Sequence, residues 1–210
     1  MPCVGNDVVD LKDAANSGKS RDSRFLKKIL TDAEIEYVTH ADHPDSTLWL
    51  LWACKETAYK VIKKILPDSP FLPGRWPVVF TTLRLMDGEG KVGIAEKHGV
   101  YVRCFSRAGY VHCIGSDCSE LLNNLTWKVD FLPEDGNLDT SRYLRYCLRQ
   151  ELARHFSLNI HRITIDRKKQ NGELYPPYVY VDGRQTDTEI SLSHDGRFVA
   201  YAFGSTAQRK

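Results

Sequence analysis

Apolar residues recur at helical spacing between positions 47 and 66. Leu48, Leu51, Trp52, Cys54, Ala58, Tyr59, Ile62 and Leu66 form one stripe, which predicts the longest helix of the chain. Pro67, Pro70, Pro73 and Pro77 end it and mark an irregular loop. Residues 140–156 show the same periodicity and predict a second long helix. Thr31-Asp32-Ala33-Glu34 reads as a capping box, in which Thr31 caps the backbone and Glu34 reaches back. A short helix then runs to about Thr39, after a helical turn or two at 23–30. Strands are expected at 4–11, 78–86, 100–105, 110–116, 163–167, 178–182, 190–193 and 197–203. Turn chemistry marks 87–90, 106–109, 171–172 and 194–196, and the tail from Gly204 is expected to fray.

The order long helix, strand, turn, two-stranded hairpin occurs twice. Glu56 and Glu151 fall at matching helix positions, and the hairpin turns at 106–109 and 193–196 correspond. We read a divergent tandem duplication. It predicts an α+β fold of two related halves, each a long helix packed on a small antiparallel sheet, forming a pseudo-dimer. The halves are residues 1–124 and 125–210, and the cleft between them is the expected ligand site.

Composition narrows the class. The chain has 210 residues, 42% hydrophobic and 27% charged, which excludes a disordered or collagen-like protein. No apolar run reaches the ~18 residues of a membrane span. Lys+Arg 29 against Asp+Glu 27 leaves +2, too balanced for a dedicated nucleic-acid binder despite the clusters Arg142, Arg145, Arg149 and Arg167 to Lys169. Six cysteines form no Cys-x-x-Cys pair, and the first residues are not expected to be a signal peptide. A cytoplasmic protein with free thiols is expected. His40 and His43 suggest a metal pair, but no third ligand follows.

Two constellations carry chemistry. Gly5-Asn6-Asp7-Val8-Val9-Asp10-Leu11 sets a carboxylate into an apolar strand, where it needs a partner if buried. Trp52-Ala53-Cys54-Lys55-Glu56-Thr57-Ala58-Tyr59-Lys60 places Glu56 and Lys60 four apart on one helix face, a spacing that also suits a plain surface ion pair. Two carboxylates from separate elements suit Mg²⁺, which keeps waters and substrate phosphates in its shell. In the second constellation, Ile190 to Phe198, alternation puts Ser191 and Ser193 on one face with His194 at the turn. His194 and Arg197 are candidates for a phosphate. A Ser193–His194 general-base pair is disfavoured, because neighbours in a strand point to opposite faces.

Together these segments resemble the 4′-phosphopantetheinyl transferase superfamily. Gly5-Asn6-Asp7 looks like its Gly-Ile-Asp strand, and Trp52-Ala53-Cys54-Lys55-Glu56 through Lys60 like its Trp-x-x-Lys-Glu-x-x-x-Lys helix. Ser193-His194 looks like its Ser-His hairpin, and Thr31 to Ile35 is similar to the segment ahead of the helix. The resemblance implies transfer of the phosphopantetheine arm of coenzyme A to a serine of an acidic apo acyl or peptidyl carrier protein. Mg²⁺ is required and adenosine 3′,5′-bisphosphate is released. By the same resemblance, Asp7 and Glu56 would bind Mg²⁺ and Lys60 would contact the phosphates and the reacting serine. Ser193 and His194 would hold the adenosine 3′-phosphate, and Lys55 would help hold the coenzyme. The base would be Glu56 or water held by it, and Lys27, Lys28, Lys63 and Lys64 would steer the carrier.

The larger members of the family are single-chain pseudo-dimers with the Ser-His half first. Here the metal half comes first, so the resemblance implies an exchanged order and a monomer. Val9 stands where a third acid is common, Glu173 where a phosphate-binding lysine is expected, and Lys63-Lys64-Ile65-Leu66-Pro67 replaces a Gly-rich segment. The alternative reading is a degenerate homologue that holds coenzyme A without transferring from it. The carrier itself, tolerance of acyl-coenzyme A, and the identity of the base stay open at this point.

Overall fold

The computed structural model describes residues 2–84, 87–95, 98–133, 138–170 and 173–205, with only the backbone described at 95, 168–170 and 173–174. The first strand, β1 (Val4–Asp10), is followed by α1 (Ser23–Ile29), α2 (Asp32–Thr39) and α3 (Pro44–Ile65). The strands β2 (Val78–Arg84), β3 (Asp87–Ala95), β4 (His98–Arg107) and β5 (Tyr110–Ser116) come next, then the short α4 (Ser119–Asn123). Beyond it lie β6 (Thr126–Phe131), α5 (Thr140–Phe156), β7 (Ile163–Gln170), β8 (Glu173–Val181), β9 (Arg184–Gln185), β10 (Thr188–Asp195) and β11 (Phe198–Ser205). The protein is α+β, with antiparallel sheets and a few helices, as expected.

The local chemistry of the helices is that of the sequence. Thr31 and Glu34 form both bonds of the capping box on α2. α3 starts on Pro44, whose missing N–H costs nothing in the first turn, and ends on Lys63 and Lys64, which favour the negative end of the helix dipole. Asp139 caps α5 by accepting the N–H of Arg142. Among the described residues no helix is long and apolar enough to cross a membrane.

One sheet has the order β1-β5-β4-β3-β2, a second β10-β11-β6, and a third β7-β8-β9. The order edge strand, last strand, penultimate strand therefore occurs twice, as β1-β5-β4 and as β6-β11-β10. α3 buries Leu48, Leu51, Ala58 and Val61 against Val100, Val102 and Val111. α5 buries Leu144, Leu148 and Leu152 against Ile163, Val179, Val199 and Phe203. Between the two cores, Val4 and Ile114 meet Ala202, and Val8 meets Phe198 and Ala200.

Several expected elements shift. Asp87 to Gly90, read as a turn, belongs to β3. Its glycines are there because a Cβ on Gly88 or Gly90 would run into the backbone of β2. Gly204 and Ser205 continue β11 rather than fraying, and residues 206–210 lie outside the described residues. β6, β9 and α4 were not expected. The turn at Asn171-Gly172 and the side chains of Lys168, Lys169 and Glu173 lie outside what the structure describes.

Candidate active site

Gly5 and Gly115 face each other across β1 and β5. A Cβ on Gly5 would run into the carbonyl oxygen of Thr57, and one on Gly115 would come within 2.7 Å of the Thr57 methyl. The two glycines thus form a window that lets the middle of α3 sit directly on the strands. Glu56, beside Thr57, is thereby brought to Asp7 of β1; both line one cavity of about 200 Å³.

Asp7 is only 7% exposed. Its Oδ1 accepts two bonds of 2.8 Å, one from Lys60 Nζ and one from Ser193 Oγ. Lys60 also donates to the carbonyl of Asn6 at 2.8 Å. The ion pair suggested by the Glu56–Lys60 spacing is therefore replaced by a Lys60–Asp7 pair between helix and strand. The Glu56 carboxylate makes no hydrogen bond or ion pair with any described residue. Burial first, then the negative charge of Asp7, pushes its carboxyl up to about 7, with Lys60 acting in the opposite direction.

Strand β10 closes this site from the other side. Asn6 and Val8 donate their outward N–H groups to Ser191 Oγ and Ser193 Oγ, and Asp10 donates its own to Asp195 Oδ2. The exposed edge of β1 is thereby capped by side chains of β10 rather than by a further ladder of backbone bonds. His194, on the opposite face of β10 from Ser193, is exposed and lines the 200 Å³ cavity with Asp7, Glu56, Trp49, Trp52 and Asp195.

Two larger cavities flank this point. One of about 520 Å³ opens between α3 and the strands β8 and β10; Lys60, Lys63 and Arg167 line it beside Tyr59, Tyr175 and Pro176. The Nε of Arg167 is buried without a hydrogen-bond partner among the described residues. The other, about 660 Å³, is a groove between α1 and the 70s loop, with Phe25, Trp52 and Phe71 in its wall, Lys27, Lys28 and Arg75 on its rim, and Glu56 at its end.

Three expected roles change. Lys55 is fully buried and holds Glu34 at 2.6 Å, the carbonyl of Ile29 at 2.9 Å and that of Pro73 at 2.8 Å. All three ammonium protons are engaged in the core, so Lys55 does not face a ligand cavity as the coenzyme role requires. Arg197 does not await a phosphate: its guanidinium grips both oxygens of buried Asp10, at 2.7 and 2.6 Å, and holds that carboxyl down at about 2. Lys64 joins α3 to β1 and β10, binding Glu189 and the carbonyls of Val4 and Ile190. None of these contacts has a signal in sequence spacing, because the partners lie 18 to 187 residues away. Trp49 and Tyr175 likewise enter the cavities unannounced, and Arg167, read from the sequence only as part of a basic cluster, lines one of them.

The donor set at Asp7 and Glu56 fits a hard divalent cation. Two carboxylates from separate elements line one pocket, and Glu56, with no hydrogen-bond or ion-pair partner among the described residues, resists ionisation through burial first and the charge of Asp7 second. A cation relieves that repulsion. Val9 supplies no third acid, and among the described residues no group of three or more acidic, His or Cys side chains is arranged as a metal site. His43 stands at the start of α3, and His40 bonds the carbonyl of Glu36.

A mixed α+β protein with a carboxylate–lysine cleft at the seam of two sheets is the class that fold and site define. Residues 3–100, which carry Asp7, Glu56 and Lys60, match the family model of the 4′-phosphopantetheinyl transferase superfamily. The family of that stretch, a superfamily of phosphopantetheinyl-type transferases, is the one its motifs resemble. No curated protein matches the chain.

Proposed function

We propose that the protein transfers the 4′-phosphopantetheine arm of coenzyme A to a serine of an apo acyl or peptidyl carrier protein, with Mg²⁺, releasing adenosine 3′,5′-bisphosphate. The observation that carries this reading is Glu56: a carboxyl with no hydrogen-bond or ion-pair partner among the described residues, pushed up to about 7 beside Asp7 at the end of a basic, aromatic-walled groove.

Asp7 and Glu56 would hold the cation, which when bound supplies neutralisation of charge on the pyrophosphate. The remaining roles fall to the chain. The 520 Å³ cavity suits the phosphates of coenzyme A, with Lys60, Lys63 and Arg167 as cations and Tyr59 and Tyr175 as apolar wall. Lys60, anchored on Asp7 and on the Asn6 carbonyl, steadies the leaving phosphate. His194 stands where a phosphate at the mouth of the acidic pocket can reach it. The carrier serine enters along the groove below Lys27, Lys28 and Arg75, and its hydroxyl attacks the phosphorus bearing the pantetheine arm. Its proton passes to Glu56 or to water held by it, a transfer worth roughly 10²–10⁴-fold. Trp49 and Trp52 keep bulk water from the pocket.

The division at residues 124 and 125 separates, in this proposal, two halves descended from one. The repeated strand order supports that division. Because the second half covers the edge of β1, one chain completes the site, and a monomer in the cytoplasm is expected.

Mass spectrometry of apo carrier proteins incubated with the protein, coenzyme A and Mg²⁺ tests the reading. A gain of one phosphopantetheine arm, lost with a chelator or in Asp7→Ala, supports it. Coenzyme binding with no gain on any carrier refutes transfer.

A further inference from the structure

Ser191, Ser193 and Asp195 do the same work for the backbone, each accepting one outward N–H of β1, at 2.9, 3.3 and 2.8 Å. They differ in what else they touch. The hydroxyl of Ser193 accepts from Val8 N–H and donates its proton to Asp7 Oδ1 at 2.8 Å. Lys60 reaches the same oxygen, so Oδ1 is held by two donors, one from α3 and one from β10, and among the described residues Oδ2 receives no donor. Ser191 makes no bond to either acid of the pocket; its carbonyl accepts the Asn6 amide instead.

The resemblance assigns Ser193 to the adenosine 3′-phosphate. Its surroundings point elsewhere. It is only 7% exposed, and both the donor and the acceptor side of its hydroxyl are already satisfied inside the protein. A phosphate could bind it only by breaking one of those bonds.

We propose that Ser193 is a positioning residue for the cation site: together with Lys60 it fixes the Asp7 carboxylate through Oδ1, leaving Oδ2 as the oxygen offered to the divalent ion. The inference rests on the reading that Asp7 and Glu56 hold that ion. It makes the second half a direct contributor to metal affinity across the seam. Partners of a metal ligand of this kind typically account for 10–100-fold in affinity.

The test is a titration of the full chain with Mn²⁺ alone, followed by electron paramagnetic resonance, and a separate titration with adenosine 3′,5′-bisphosphate in chelator. Ser193→Ala is expected to weaken Mn²⁺ binding about 10-fold or more and to leave nucleotide binding unchanged. Ser191→Ala, which removes an equivalent backbone acceptor, is expected to leave Mn²⁺ binding unchanged. Ser193→Cys keeps the shape with a much weaker donor and replaces the alanine variant if that does not fold. Equal Mn²⁺ weakening in the Ser191 and Ser193 variants would show a merely structural seam and overturn the proposal. Weaker nucleotide binding with unchanged Mn²⁺ affinity would overturn it in favour of a phosphate contact. Wild-type protein that takes up no Mn²⁺ would remove the metal reading itself, and this inference with it.

Discussion

Exchanging Glu56 for glutamine removes a charge and keeps the shape. In the folded protein without metal, this carboxyl is pushed from 4.5 up to about 7, by burial and then by Asp7. The folded state therefore holds a proton that the unfolded chain has already released. Stability falls as pH rises from about 4.5 to about 7, and the loss is complete above that range. At about 1.4 kcal/mol per pH unit, the ionised Glu56 costs the native state about 3 kcal/mol at pH 8. Glu56→Gln should recover that amount at pH 8 and nothing near pH 4.5.

Urea unfolding in chelator, at several pH values, measures it. The expected rise in midpoint at pH 8 is about 1 M for a slope of ~2–3 kcal/mol/M. The comparison must be variant against wild type at each pH, because His112 works in the opposite direction. That ring is fully buried, stacks on Phe105, lies tilted against Trp127, has no hydrogen-bond partner among the described residues, and is pushed down to about 3 by burial. It makes the fold less stable as pH falls below about 6.5, and subtraction cancels it. With Mg²⁺ present the order should invert, since only the wild type has both carboxylates for the ion. A variant less stable than wild type at pH 8 in chelator would refute the account of Glu56 as an unpartnered, repelled carboxyl. The same variant should lose most transfer activity.

Lys55→Met leaves the Glu34 carboxylate buried without its ammonium, so chemical denaturation should report a loss of about 3–5 kcal/mol, unlike a surface lysine. Gly5→Ala forces α3 off β1 at Thr57; a loss of about 1–3 kcal/mol is expected, together with weaker Mn²⁺ binding as Glu56 moves from Asp7. Lys27→Glu with Lys28→Glu should slow modification of an acidic carrier most at low ionic strength, and the deficit should shrink once salt brings the Debye length below ~10 Å. A deficit independent of salt would take the groove rim out of carrier recognition.

The helices were legible because their signals are local. The apolar stripe from Leu48 to Ile62 and the Thr31–Glu34 box each lie within one element, and α5 and β5 fall at the expected positions. Asp7, Glu56 and Lys60 were legible as a group through motif spacing, and the structure does bring them together. What the spacing cannot show is direction. Lys55 and Lys60 are both lysines of α3, yet one points into the core and the other to β1, a difference made by Glu34 and Asp7. Arg197 reads as a phosphate ligand until Asp10, 187 positions away, is seen to hold it. In β3, glycines that read as a turn are instead places where two strands come close.

The seam between β1 and β10 also governs how the chain must be made. Asn6, Val8 and Asp10 leave three outward N–H groups on one edge strand, and their acceptors arrive about 185 residues later. A nascent or truncated chain ending near residue 124 presents that edge open. An unpaired strand edge is a template for pairing with another chain. Residues 1–124 on their own, though they contain both carboxylates, are therefore expected to aggregate, and β10 is the cover that keeps the edge of β1 closed.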